Sequence, residues 1–191
     1  MRLISAVLCS AVAVGAYLAL PAVASATDVH CSSDNGADIT IIDGRTACRA
    51  ASDAIGRARA AGYDGVGYAS ATLGAYALGV GISGGVGASD GEGGTPIAIG
   101  IGPDAVAISS ISSTGHSRSD QLTATSGHEP DVRHHVGIGA NFAVTIALDG
   151  SRALVSSAEA TVTCLGAGAV AWDAGTGKAC LATPFGTWQT A

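Results

Sequence analysis

Between Tyr63 and Ser113 the chain is built almost wholly from Gly and Ala, with single β-branched residues or leucines set between them. Short pieces recur: Ala71-Thr72-Leu73-Gly74, Tyr76-Ala77-Leu78-Gly79, Ile97-Ala98-Ile99-Gly100 and Val106-Ala107-Ile108-Ser109. Each is a few residues of strand-like pattern closed by a turn-forming residue, the signature of an internally repeated β architecture. Hydrophobic residues make up 48% of the chain but aromatic ones only 4%. Most apolar content is therefore Ala and Val, too small to fill a thick core. A fold made of such residues has to bring its backbones close together, as a narrow β-solenoid does. A disordered Gly-rich tract is the rival. A mean hydropathy of +0.41 and a charged fraction of 13% argue against it, because disorder accompanies low hydrophobicity and high charge.

The best-formed rung runs from Pro96 to Ser109, with Ala-x-Ala-Ile units nine residues apart and Pro103-Asp104 marking the turn. Period-two alternation sets Ala98 and Gly100 on one face and Ile97, Ile99 and Ile101 on the other. The small residues suit a tight interior or a neighbouring rung, and the β-branched ones fill the layer. Upstream, Ala37 to Ile42 reads as a short strand ending in an Asp43-Gly44 turn. Thr46 to Ala61 is alanine-rich and predicts one short helix near the N-terminus, ended by Gly62; a further rung with Ala-x-Ala alternation is the other reading of this segment. From about 110 to 135 the repeat lapses into a polar, turn-rich loop, long for a compact domain. Strand pattern resumes at Phe142–Leu148, and Asp149-Gly150 before Arg152–Ser156 predicts a hairpin. Ala158–Leu165 and Ala167–Asp173 continue the pattern, and Phe185 and Trp188 are expected to cap the last rung. The expected fold is all-β: an irregular Gly/Ala-rich β-solenoid or β-roll with disulfide-stapled ends.

The start reads as a leader. Met1-Arg2 is a short basic head, Leu3 to Leu20 is apolar, and Ala24-Ser25-Ala26 fits the small-residue rule for a signal-peptidase site, which places the cut after Ala26. The alternative is a retained membrane anchor, since about eighteen apolar residues just span a bilayer. Residues 27–191 then form a single domain, exported to the cell envelope or secreted. Four cysteines lie in it: Cys31, Cys48, Cys164 and Cys180. An even count in an exported chain predicts two disulfides. Of the three pairings, the near-equal spacings and the position of each pair at one end favour Cys31–Cys48 and Cys164–Cys180. The whole chain carries a net charge of −6 and nine basic residues, of which only Lys178 is a lysine. With no basic patch, nucleic acid and anionic membranes are poor partners, and the only expected membrane contact is through an uncleaved leader.

Pro96-Ile97-Ala98-Ile99-Gly100 and Asp104-Ala105-Val106-Ala107-Ile108-Ser109 resemble the head repeats of trimeric autotransporter adhesins, which implies a β-roll. Cys31, Cys48, Cys164 and the closing Cys180-Leu181-Ala182-Thr183-Pro184-Phe185-Gly186, together with the leader and repeats, resemble small exported actinobacterial proteins of uncharacterised function. The second resemblance implies no activity.

Several motifs invite chemistry. Gly79-Val80-Gly81-Ile82-Ser83-Gly84 fits the dinucleotide pattern, but that site needs a helix opening at the glycines, and Gly85-Val86-Gly87 comes next. Gly81-Ile82-Ser83-Gly84-Gly85 fits a nucleophile elbow, which needs a large α/β sheet to bring Asp and His to Ser83. Gly84 to Asp90, with Glu92, approaches a calcium nonapeptide, Asp90 falling one residue late. His116, His128, Glu129, Asp131, His134 and His135 form a titratable cluster suited to zinc, copper or nickel; its spacing matches no established ligand motif, and Pro130 breaks any helix that would align it. No catalytic residue and no cofactor is expected. The functional expectation is a non-enzymatic exported protein that presents a repetitive β surface to an unidentified macromolecule, with a metal-binding protein using His128, Glu129, Asp131, His134 and His135 as the alternative and self-association left open.

Overall fold

The computed structural model describes residues 27–113 and 141–190. They form fifteen strands: β1 (Asp28–Asp34), β2 (Asp38–Asp43), β3 (Thr46–Ser52), β4 (Arg57–Tyr63), β5 (Val66–Thr72), β6 (Tyr76–Ile82), β7 (Val86–Glu92), β8 (Thr95–Ile101), β9 (Val106–Ile111), β10 (Phe142–Leu148), β11 (Arg152–Ser156), β12 (Thr161–Leu165), β13 (Ala169–Asp173), β14 (Lys178–Thr183) and β15 (Gly186–Gln189). From β3 to β11 successive strands alternate between two sheets. One sheet, here sheet A, has the order β1-β4-β6-β8-β10-β13-β14-β15; sheet B has the order β12-β11-β9-β7-β5-β3-β2. Strands β4, β6, β8 and β10 stack in parallel in sheet A, as do β3, β5, β7, β9 and β11 in sheet B. Arg57 pairs with Tyr76 and Val66 with Val86, so one turn of this β-solenoid takes 19 to 20 residues. The nine-residue spacing in the sequence is half a turn.

Alternation fills the inside with the smallest side chains available. Ala77, Ala98, Ala107, Ala143 and Ala153 are fully buried or nearly so, and glycines take many of the remaining inward places. The sheets therefore meet backbone to backbone. A Cβ added to Gly79 would fall 1.9 Å from the Tyr68 carbonyl oxygen. The disulfide Cys31–Cys48 joins β1 of sheet A to β3 of sheet B, and Cys164–Cys180 joins β12 of sheet B to β14 of sheet A; each spans the interior with Cα atoms 5.8 Å apart. Face-to-face sheets with ordinary side chains sit about 10 Å apart. Both bonds close the pairing that the spacings favour. Inward hydroxyls find partners: Ser109 Oγ donates to Ala143 O at 3.4 Å, Thr145 Oγ1 to Ile97 O at 3.4 Å, and the Thr46 hydroxyl pairs with that of Thr27 at 2.5 Å.

The ends switch to antiparallel pairing, with β1 on β4 and β2 on β3 at one end and β12 to β15 at the other. Near the first end Asp53 ties two corners together. Its carboxylate accepts from the amides of Ile55 (3.0 Å), Gly56 (2.5 Å) and Leu73 (2.7 Å), and these bonds, Leu73's foremost, hold its pKa below the usual carboxylate value. At the other end Lys178 Nζ donates to Ala160 O (2.9 Å) and Gln189 Nε2 to Val162 O (2.8 Å), occupying carbonyls beside and on the outer edge of β12.

Three expectations need correction. Thr46–Ala61 is not a helix but strands β3 and β4, the alternation reading of the same residues: burial of Ala50, Ala58 and Ala60 against the opposite sheet overrides alanine's helix preference. Asp149-Gly150 does not form a hairpin. It is a corner, since β10 lies in sheet A and β11 in sheet B. Phe185 does not cap the last rung, being 94% exposed at the β14–β15 turn. Trp188 does not cap it either, lying 54% exposed on β15; the polar side chains of Lys178 and Gln189 cover the edge instead. Of the polar loop expected at about 110 to 135, Ser110 and Ile111 belong to β9 and 114–135 lie outside the described residues. Thr95 pairs with Phe142 and Val106 with Arg152, so the stretch between β9 and β10 enters at one corner while the strands on either side keep their lateral pairing.

Candidate interaction surface

With small residues inside, the large apolar side chains of the repeats must point outward. In sheet A they align into ladders. One runs Ala61, Val80, Ile99, Ile146, Val170, Leu181, Trp188; the next runs Arg59, Leu78, Ile97, Val144, Trp172, Ala179. A third joins Tyr63, Ile82, Ile101 and Leu148. Across β6, β8 and β10 the outward positions are Tyr76, Leu78, Val80 and Ile82, then Thr95, Ile97, Ile99 and Ile101, then Phe142, Val144, Ile146 and Leu148. None is charged. Lateral packing half-buries the middle of this face, and Phe142 meets Trp172 edge to face at 5.9 Å between ring centres, but the outer ends of these side chains remain in water. Trp172 is 45% exposed. Beside it Val170, Trp172, Leu181 and Trp188 line a shallow depression of about 380 Å³.

Charge appears only on the flank of this face. Arg57 and Arg59 project from β4, and on β1 Asp28 lies 3.7 Å from His30 while Asp34 approaches Arg57 at 4.0 Å. The outer face of sheet B is different. It carries a polar row of Ser70, Asp90, Ser110 and Ser156, and Arg49 is held bidentately by Asp38 (2.8 and 3.1 Å) over the Tyr68 ring. The Arg49 guanidinium also keeps the Asp38 carboxyl below its usual pKa. Lone exposed apolar side chains need no explanation; an uncharged apolar sheet face several strands wide marks a site of contact.

The chemical motifs dissolve into this architecture. Gly79 and Gly81 are inward positions of β6, and the chain leaves them through a corner into β7, so no helix terminus meets a phosphate there. Ser83 and Gly84 form that corner, both with positive φ (51° and 87°), the geometry of a tight primed turn. Among the described residues the one histidine is His30, on β1 and two strands away from β6 in sheet A, about 10 Å across, so no described histidine stands beside Ser83. Asp90 points outward from β7 and Glu92 accepts from Ser112 Oγ at 3.1 Å. Among the described residues no three His, Cys, Asp or Glu side chains gather as metal ligands. His116, His128, Glu129, Asp131, His134 and His135 lie outside the described residues.

The sequence alone assigns no surface role to Leu78, Val80, Phe142, Val144 or Trp172, and it gives Trp188 a capping one. Aligning Tyr76–Ile82 with Thr95–Ile101 at an offset of one turn exposes the outward series, but only once the turn length is known.

Fold and surface together define a thin two-sheet β-solenoid, clamped at both ends by disulfides, with one uncharged apolar outer face. The chain belongs to a family of unknown function, DUF6764, whose profile matches residues 1–127; that span carries β1 to β9, and β10 to β15 lie beyond it. No curated protein and no solved structure matches the chain.

Proposed function

We propose that this is an exported, non-enzymatic protein of the cell envelope or its surroundings, of the small actinobacterial kind it resembles, that works by presenting a repetitive β surface to another macromolecule. The observation that carries this reading is the uncharged outer face of β6, β8 and β10. A chain with so few large residues gains stability from placing them inside, yet here they stand outside, where their burial is deferred to a partner. Two disulfides support an oxidising, extracytoplasmic location, as does the leader pattern of residues 1–26. The test is retention of the purified chain by envelope fractions of its host, compared with Ile99→Lys, which sets a charge at the centre of the face. Loss of retention in the variant, with the far-UV spectrum unchanged, is the expected result. Equal retention of both proteins refutes the reading.

A further inference from the structure

We infer that the occupant of the sheet A face is a second copy of this chain, packed sheet A to sheet A about a two-fold axis running along β10. The inference rests on the reading of that face as the contact surface and names its partner.

Size is the first argument. The seven strands from β4 to β15 run four to seven residues each and, at about 4.8 Å per strand and about 3.3 Å per residue, cover roughly 680 Å². A stable pair of proteins buries about 800 Å² on each partner. The face is thus about as large as a dimer needs, and without charge across β6, β8 and β10 it holds nothing that costs desolvation when covered.

Charge at the flank selects the axis. Two copies stacked face to face have two simple arrangements. An axis across the strands lays β4 on β4 in reverse direction, so that the strand carrying Arg57 and Arg59 faces its own copy. An axis along β10 reverses the strand order, so that β4 lies over β15, β6 over β14 and β8 over β13. Residues at the same height then meet: Ile97 faces Trp172, Ile99 faces Val170, Ala61 faces Trp188, and Arg59 lies over the Thr190 end of β15. The second arrangement keeps the two arginine-bearing strands apart and sets each over the uncharged β15. It is isologous, as a two-fold contact must be.

Sedimentation equilibrium of the full chain, produced with its own leader in an oxidising compartment, measures the mass directly. Wild type is expected as a dimer that dissociates on dilution. Ile146→Lys places two lysines near the axis, and Trp172→Lys puts one at a position already half in water, where the monomer tolerates it. Each is expected to raise the dimer dissociation constant at least about a hundredfold, with both disulfides and the far-UV spectrum intact. Ile108→Lys, outward on sheet B, leaves the dimer unchanged. A wild type that is monomeric at about 0.1 mM overturns the inference, as does an Ile108→Lys variant that dissociates as readily as Ile146→Lys. If that monomer loses envelope retention on Ile146→Lys, or floats with phosphatidylcholine vesicles, the face binds something other than itself and the broader reading survives. If Ile146→Lys changes neither mass nor retention, both readings fall.

Discussion

Adding one methyl group to the inside of this protein should cost more than removing two from its outside. Gly79→Ala sets a Cβ 1.9 Å from the Tyr68 carbonyl oxygen and 2.8 Å from that of Gly87. Both atoms belong to backbone of the opposite sheet, so no side chain can swing away. Restoring ordinary contact, about 3.5 Å, requires the sheets to part locally by more than an ångström, which strips neighbouring alanines of their contacts. Overpacking in ordinary cores costs about 1–3 kcal/mol; with backbone on both sides, the expected loss is about 3 kcal/mol or more. Val80→Ala, one residue along and facing outward, removes two methyl groups from a half-exposed position and should cost about 1 kcal/mol or less. Urea unfolding followed by far-UV circular dichroism reads both. At a slope of about 1–3 kcal/mol per molar, Gly79→Ala should lower the midpoint by at least about 1 M. A Gly79→Ala protein within about 0.5 kcal/mol of wild type would mean that the sheets are not in backbone contact, and the account of the interior would be wrong.

Two further outcomes concern the clamped end. Replacing Cys31 and Cys48 together by Ser opens a loop of 17 residues and should lower stability by about 3 kcal/mol, read in the same urea titration; an unchanged midpoint would show that the end is held by pairing alone. Asp53 sets an acid limit. Its ionised form is favoured in the folded chain by the amides of Leu73, Gly56 and Ile55, so its contribution is whole above about pH 4, the ordinary carboxylate range, and is lost as pH falls through the lower folded-state value. Asp53→Asn should be less stable at neutral pH yet lose less between about pH 4 and 2. Parallel acid profiles for variant and wild type would refute the role given to those three bonds.

Much of the fold can be read from the sequence because each inward place has one physical solution. Ala98 and Gly100 alternate with Ile97, Ile99 and Ile101, and the closeness of backbones results from the lack of anything larger to separate them. Cysteine spacing is equally informative, since the near-equal separations of Cys31–Cys48 and Cys164–Cys180 set one pair at each end, on strands of opposite sheets that face each other across the thin interior. Alternation alone leaves open which face is inside. The usual rule sends Ile inward and small residues outward, and here a solenoid two backbones thick reverses it; only the assembled sheets reveal that the isoleucine ladders face water. Alanine misleads at Thr46–Ala61 for a related reason. It is the best helix former and also the residue that fits this interior best, and the second property prevails because burial acts along the whole length of β3 and β4. Asp149-Gly150 specifies a reversal of the chain but not whether the two strands it joins will pair or part into opposite sheets.

Lys178 and Gln189 give the molecule a direction of growth. A bare sheet edge is a template on which another strand can be laid, and a rod of stacked rungs offers one at each end. At the β12 edge of sheet B the carbonyls of Ala160 and Val162 are already taken by these two side chains. A strand laid on that edge has to displace both side chains first, which disfavours lengthening of sheet B from this end.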